Sequence, residues 1–197
     1  MLEGPLVFVD IDTQRDFLEP SGALYVPGST RIVPNLALLT EHARTNQISI
    51  LATACAHSLD DPELKQFPPH CLAGTPGQER VAATKCAESV VLDVDQRLTG
   101  DLPRHLTLLK HELDVFSRLD ADDLIARYNQ IQPTFVVYGV ATDYCVKAAV
   151  NGLLDRKCRV AVVVDAIRAI NPTVEAELLT DWAHRGALLT VTNLVCQ

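Results

Sequence analysis

The sequence predicts an α/β fold, a largely parallel sheet with helices on both faces. Three observations lead there. The strand candidates are short and apolar throughout instead of alternating, as strands covered on both sides are. They are interleaved with segments of helical spacing. Hydrophobic residues make up 48% of the 197 and charged residues 21%, enough apolar material for a sizeable core.

PLVFVDI (5–11) is the first strand candidate. Residues 29–46 start with a Ser-Thr cap signal and place Ile32, Leu36, Leu39 and Ala43 at helical spacing. ISILATA (48–54) is a second buried strand. Residues 55–80 carry Pro62, Pro68, Pro69 and Pro76, His57 and His70, and no sustained period. Such a long loop inside a compact fold is usually functional. SVVLDV (89–94) and HLTLLK (105–110) are further strands, and ADDLIARYNQI (121–131) is a helix with acids in its first turn. TFVVYGV (134–140) is a strand, 143–157 a helix, CRVAVVVDAI (158–167) a strand. Residues 172–186 form a helix with Pro at its start and Gly at its end, and ALLTVTNL (187–194) closes as a strand. With no repeat and no linker, the expectation is one domain over 1–197 with a functional loop at about 55–80.

Charge and composition narrow the partners. Twenty-five acids against 17 bases give a net charge of −8, which argues against nucleic acid or an anionic membrane surface. No apolar run reaches the roughly 20 residues that span a bilayer. MLEGPLVFVDIDTQRDF reads as a first strand, not a signal peptide. None of the six cysteines forms a C-x-x-C pair, so reduced thiols in the cytoplasm are expected.

In a parallel sheet, reacting groups collect at the carboxyl ends of strands. Asp12 follows the first strand, Cys55 and His57 the second; Lys110 ends HLTLLK, and Cys145 begins the helix after TFVVYGV. A helix N-terminus lowers a thiol pKa and offers N–H groups to an oxyanion. From its position alone, Cys145 is either a nucleophile or a small buried residue. Asp12 is either a base raised by burial or a loop acid. Lys110 either holds the charge of Asp12 and the thiolate, or is a solvated strand end or pairs with Glu112. All three plain alternatives holding together at three strand ends is the harder case to sustain.

Four segments carry a resemblance. DTQRDF (12–17) follows a D-x-Q-x-D-F pattern, GVATDYCV (139–146) a nucleophile motif, LLKHELDVF (108–116) a lysine segment, and FPPHCLAGTPGQE (67–79) a loop pattern. In order and spacing they resemble the isochorismatase-like cysteine hydrolases, and the loop resembles the nicotinamidase branch. The resemblance implies a three-layer α/β/α sandwich around a mostly parallel six-stranded sheet. It implies Cys145 as nucleophile, Asp12 as general base and acid, and Lys110 as third member. It also implies a cis Val140–Ala141 peptide, which sets the N–H of Ala141 beside that of Cys145 as an oxyanion hole. The activity implied is hydrolysis of a small carboxamide through a thioester, with nicotinamide the first candidate.

Nicotinamidases hold a divalent metal through a D-x-H pair and a later histidine. Here Cys55-Ala56-His57 and His70 occupy those places. The expected ligands are His57, His70 and Cys55, with Asp61 or Glu63 as alternative oxygen donors. A thiolate would favour zinc. Phe17 and Phe67 match the aromatics around the substrate ring, while Ala56 replaces an aromatic residue of many relatives. Ureido and maleamate amides, isochorismate-type vinyl ethers and a non-catalytic scaffold remain as alternatives. Cys145 favours amide cleavage over the vinyl ether, whose hydrolysis needs no thiol. Relatives are often dimers or larger, so a homo-oligomer is expected.

Overall fold

The computed structural model describes residue 2 and residues 4–197. Seven strands form one sheet: β1 (Leu6–Ile11), β2 (Ser49–Cys55), β3 (Val90–Leu92), β4 (His105–Lys110), β5 (Thr134–Val140), β6 (Arg159–Arg168) and β7 (Leu188–Thr190). Their order is β3-β4-β2-β1-β5-β6-β7, and every neighbouring pair is parallel. The family resemblance implied six strands; the sheet has seven, its two edge strands being only three residues long.

Helices cover both faces, as the unbroken apolar strands require. Along β1, Val7, Val9 and Ile11 face one core and Phe8 the other. The first core takes Leu124, Ile125 and Tyr128 from α3 (Ala121–Asn129), Ala149, Val150 and Leu153 from α4 (Lys147–Asp155), and Trp182 from α5 (Pro172–His184). The second takes Phe17 and Leu18 from α1 (Arg15–Leu18), Leu36, Leu39 and Ala43 from α2 (Val33–Thr45), and Val195 from α6 (Thr192–Val195). The helical stripe expected through Ile32, Leu36, Leu39 and Ala43 is buried.

Three expectations are corrected. Residues 187–194 are not one strand. β7 stops at Thr190, and the Asp165 carboxylate captures the Thr192 amide at 2.8 Å and its hydroxyl at 2.9 Å, turning the chain into α6. Ser29 does not cap α2. Its hydroxyl donates to the Phe17 carbonyl at 2.9 Å, and a 3-10 turn at Ser29–Arg31 leads into the helix, which has Pro34 in its first turn. The 55–80 segment carries 3-10 turns at Pro62–Lys65 and Pro76–Gln78 and a bridge between His57 and Leu72.

Candidate active site

The strand order puts the carboxyl ends of β4, β2, β1 and β5 side by side. Lys110 and Cys55, the last residues of β4 and β2, are direct partners in register. Asp12 follows β1 with φ +49°, a left-handed turn that short polar residues tolerate best. Its amide donates to the Thr53 carbonyl at 3.2 Å, and its carboxylate accepts the Thr53 hydroxyl at 2.6 Å. Gln14 ties β1 to β2 from both ends of its amide. It donates to the Cys55 carbonyl at 2.8 Å and accepts from the Cys55 amide at 2.7 Å.

Asp12, Lys110 and Cys145 come together, and all three are buried. The Lys110 ammonium is 2.9 Å from Asp12 Oδ2 and 3.6 Å from Cys145 Sγ. It also donates to the Glu112 carbonyl at 3.0 Å; the alternative ion pair with the Glu112 side chain is not formed. Burial raises the Asp12 carboxyl, as does the Cys55 charge, against the lowering pull of Lys110. Burial would lower Lys110, but Asp12 and the two thiols outweigh it and hold the ammonium well above its usual value. Cys55 is a second thiol here, 3.2 Å from Lys110 Nζ and 3.8 Å from Asp12 Oδ2. The interaction between the two thiols, with the Lys110 charge, lowers Cys55 well below the usual thiol value, and the same interaction, with burial, raises Cys145.

Cys145 is not in the first turn of a regular α-helix. A π-helical turn, Thr142–Val146, joins β5 to α4, with Tyr144 N and Val146 N both donating to the Ala141 carbonyl. Such turns concentrate at functional sites. The Val140–Ala141 peptide is cis. Gly139, at φ +119°, is a forced choice: a Cβ there would lie 2.0 Å from the Ile11 carbonyl oxygen. Asp143 anchors the turn, accepting from Ile170 N at 3.1 Å and Asn171 N at 2.9 Å. Thr142 donates to Glu175 at 2.9 Å, and the same carboxylate oxygen accepts Ala169 N at 2.8 Å.

Beside the thiols, His57, Glu63 and His70 place one ligand atom each within 4.8 Å of one another. Asp61 accepts from His57 Nδ1 at 3.0 Å, and the Pro68 carbonyl from His70 Nδ1 at 2.8 Å. Both Nε2 atoms are thereby left facing Glu63 Oε1, each at 3.8 Å. His57 Nε2 is buried without a hydrogen-bond partner, an expensive arrangement unless a cation takes its lone pair. Burial, aided by the Cys55 charge, pushes the Glu63 carboxyl up to about 7. The group fits a divalent metal in ligand type, tautomer and orienting partners. Of the expected ligands, His57 and His70 fall in this group together with Glu63. The Cys55 sulfur lies 3.2 Å from Lys110 Nζ, and Asp61 orients His57.

This arrangement can be set against known proteins. The isochorismatase domain model matches residues 6–193. The chain belongs to the isochorismatase family. Among solved structures it is similar to N-carbamoylsarcosine amidase from Thermoplasma acidophilum, 24% identical over 95% of this chain and 96% of that one, with a TM-score of 0.76. Nicotinamidase from Bacillus subtilis is 22% identical over 94% and 98%, with a TM-score of 0.78. Pyrazinamidase of Pyrococcus horikoshii, a complex with zinc, is 26% identical over 94% and 98%, with a TM-score of 0.73. No curated protein matches the chain significantly.

In this isochorismatase-family chain a small pocket opens onto Cys145 and Cys55. Phe17 and Phe67 line it, and Phe67 stands edge-on to Tyr144 with ring centroids 5.6 Å apart. Leu24, Val26, Leu113 and Ile170 complete an apolar wall. Glu63 is its one carboxylate, and no lysine or arginine lines it. Sequence reasoning missed Tyr144, Asp143 and Glu175. The first two lie within the quoted ATDYC segment, where an acid and an aromatic invited the question of what they hold. Nothing in the sequence tied Glu175 to the site. His111 sits 3.1 Å from Asp61, behind His57.

Proposed function

We propose that the protein is a cysteine-dependent amidohydrolase acting on a small, neutral carboxamide, nicotinamide being the first candidate. The observation that carries the reading is the single buried Lys110 ammonium touching both the Asp12 carboxylate and the Cys145 sulfur, with that sulfur facing a small pocket.

Asp12 takes the Cys145 proton, for which its raised affinity suits it. The sulfur attacks the amide carbonyl carbon, and the oxyanion lies against the N–H groups of Ala141 and Cys145. Asp12 returns its proton to the leaving nitrogen, and ammonia departs from a thioester. Asp12 then takes a proton from water, whose oxygen attacks the thioester; the acid is released and Cys145 regains its proton. Lys110 holds the charge on Asp12 and the sulfur throughout.

His57, Glu63 and His70 would hold a zinc ion. Bound there, it would polarise a ligand on the pocket side as a Lewis acid. The chain's own contribution is orientation, through Asp61 on His57 and the Pro68 carbonyl on His70.

The wall chooses among the amides. Ureido acids, maleamate and isochorismate carry carboxylates, and the pocket offers them no lysine or arginine. A flat, neutral ring between Phe17, Phe67 and Tyr144 meets no such penalty. The thiol proton chemistry and the reduced cysteines favour a cytoplasmic setting.

The test is ammonia release over a panel of neutral and acidic amides, with wild type and Cys145→Ala. Release from neutral amides, abolished in the folded variant, is expected. Turnover that survives Cys145→Ala, or hydrolysis of a vinyl ether without ammonia, overturns the reading.

A further inference from the structure

The catalytic sequence leaves Cys55 without a task, yet its placement is specific. It is the last residue of β2, paired in register with Lys110, and its sulfur lies 3.2 Å from the ammonium that also contacts Cys145 Sγ at 3.6 Å. Both cysteines are free thiols, both line the substrate pocket, and both sulfurs face the same ammonium. A molecule that reaches Cys145 through this pocket reaches Cys55 as well.

We propose that Cys55 and Cys145 form a reversible disulfide when a hydroperoxide enters the pocket, and that this bond switches the hydrolase off. The proposal rests on the reading of Cys145 as the nucleophile. One sulfur of the pair attacks the peroxide: an S–O bond forms, the O–O bond breaks, and an alcohol (water, from hydrogen peroxide) departs. The other sulfur attacks the resulting sulfenic acid: the S–S bond forms, the S–O bond breaks, and water leaves. Two thiols give up two electrons and two protons, and the peroxide takes both. The Lys110 ammonium faces both sulfurs and stabilises whichever is the anion.

Geometry makes closure a local movement. A disulfide needs Cβ atoms about 3.5–4.5 Å apart. Cys145 sits in a π-turn and Cys55 at a strand terminus, so side-chain rotation and movement of the turn can close the bond while the body of the sheet stays in place. A sulfenic acid with a neighbouring thiol is drawn into a disulfide before it reaches the irreversible sulfinic state. Cys71, the other thiol near this loop, faces away: its sulfur donates to the Gly77 carbonyl.

The test treats the purified, metal-loaded protein with hydrogen peroxide and measures intact mass, tryptic linkage and activity. Trypsin leaves Cys55 in peptide 45–65 and Cys145 in peptide 128–147, each with a single cysteine. The expected result is loss of two hydrogens, linkage of those two peptides, and inactivation reversed by dithiothreitol to at least about nine-tenths of the untreated rate, as a disulfide allows. Cys55→Ser should instead add oxygens at Cys145 and lose its own activity irreversibly. Oxygen addition at Cys145 in wild type while Cys55 stays alkylatable, or a linkage to Cys71, overturns the proposal. The linkage is read by mass on wild type, so a poorly folding variant does not stall the test. Peroxide-induced linkage in a protein whose reduced form releases no ammonia would count against the amide reading alone.

Discussion

The Lys110 ammonium stands 2.9 Å from the Asp12 carboxylate, with both side chains closed off from solvent. Asp12, Cys55 and Cys145 all present an acidic group to this one cation. The site therefore holds more potential negative charges than it can neutralise, and proton placement becomes the main variable. Asp12 sits where a proton passed from the Cys145 thiol can rest and be returned.

Removing that cation tests the arrangement directly. Lys110→Met strands Asp12 in a buried place, and breaking a buried ion pair from one side costs about 3–5 kcal/mol. The variant should melt earlier and lose kcat/KM by about 10²-fold or more, the scale of a deleted electrostatic contact. Chemical denaturation and steady-state kinetics read the two effects separately. Wild-type turnover in this variant would remove Lys110 from the mechanism.

The pH profile follows from Asp12. As a base it must be ionised, and burial, then the Cys55 charge, raises its pKa from 3.8. The acid limb of kcat/KM should therefore lie above the ordinary carboxylate range, with activity falling as pH drops through it. Thr53 opposes the rise by donating its hydroxyl at 2.6 Å to the charged form. Thr53→Val removes that bond, so the limb should move to higher pH. A bond to a charged group is worth about 1.5–3 kcal/mol. For this group the sign for stability is the reverse of the usual carboxylate. The folded pKa is the higher one, so the folded state binds more protons above 3.8, and stability falls as pH rises through the window. A limb that stays put in Thr53→Val would disconnect it from Asp12.

Much of this was legible in the chain because a parallel sheet concentrates chemistry at strand ends. TFVVYGV and HLTLLK are strands with the expected bounds, and Asp12, Lys110 and Cys145 meet where those ends do. The allegiance of Cys55 was not legible. A thiol at a strand terminus can turn toward either neighbour, and the pairing register that sets Lys110 opposite Cys55 is a property of the sheet, not of the local sequence. Asp61 and Glu63, equal alternatives in the sequence, part roles for a related reason. The Pro62–Lys65 turn aims Glu63 at the histidine Nε2 atoms while Asp61 caps the turn and holds His57 Nδ1. At the C-terminus, ALLTVTNL has strand composition throughout, and only the distant Asp165 carboxylate ends β7 early.

The metal group separates ligands from bystanders. Protein purified without added metal should carry zinc at near one equivalent by elemental analysis. His70→Ala should lose it. Asp61→Asn, which alters the partner of His57 Nδ1 without removing a ligand, should weaken binding by about 10–100-fold. Cys55→Ala should keep its metal, since the sulfur faces Lys110. Loss of zinc from Cys55→Ala with retention in Glu63→Gln would restore the sulfur as ligand and displace the oxygen.

Gly139 links the sheet to the nucleophile turn, and it tests whether the approach of β5 to β1 is needed there. It pairs with Ile11 in register and precedes Val140 and the cis peptide by one residue. Its φ of +119° disfavours any side chain, and a Cβ would stand 2.0 Å from the Ile11 carbonyl oxygen, which is backbone and cannot rotate away. Gly139→Ala must push β5 from β1 or give up that dihedral, and a residue held in so sparsely populated a region alone costs about 1–3 kcal/mol. Because Asp12 follows Ile11 and Ala141 follows Val140, any separation widens the distance between base and nucleophile turn. The expected variant folds with a lowered denaturation midpoint and loses kcat more than it raises KM, because the pocket wall from Phe17 and Phe67 belongs to other segments. An unchanged midpoint and rate would show that the two strands can part there without consequence for the site.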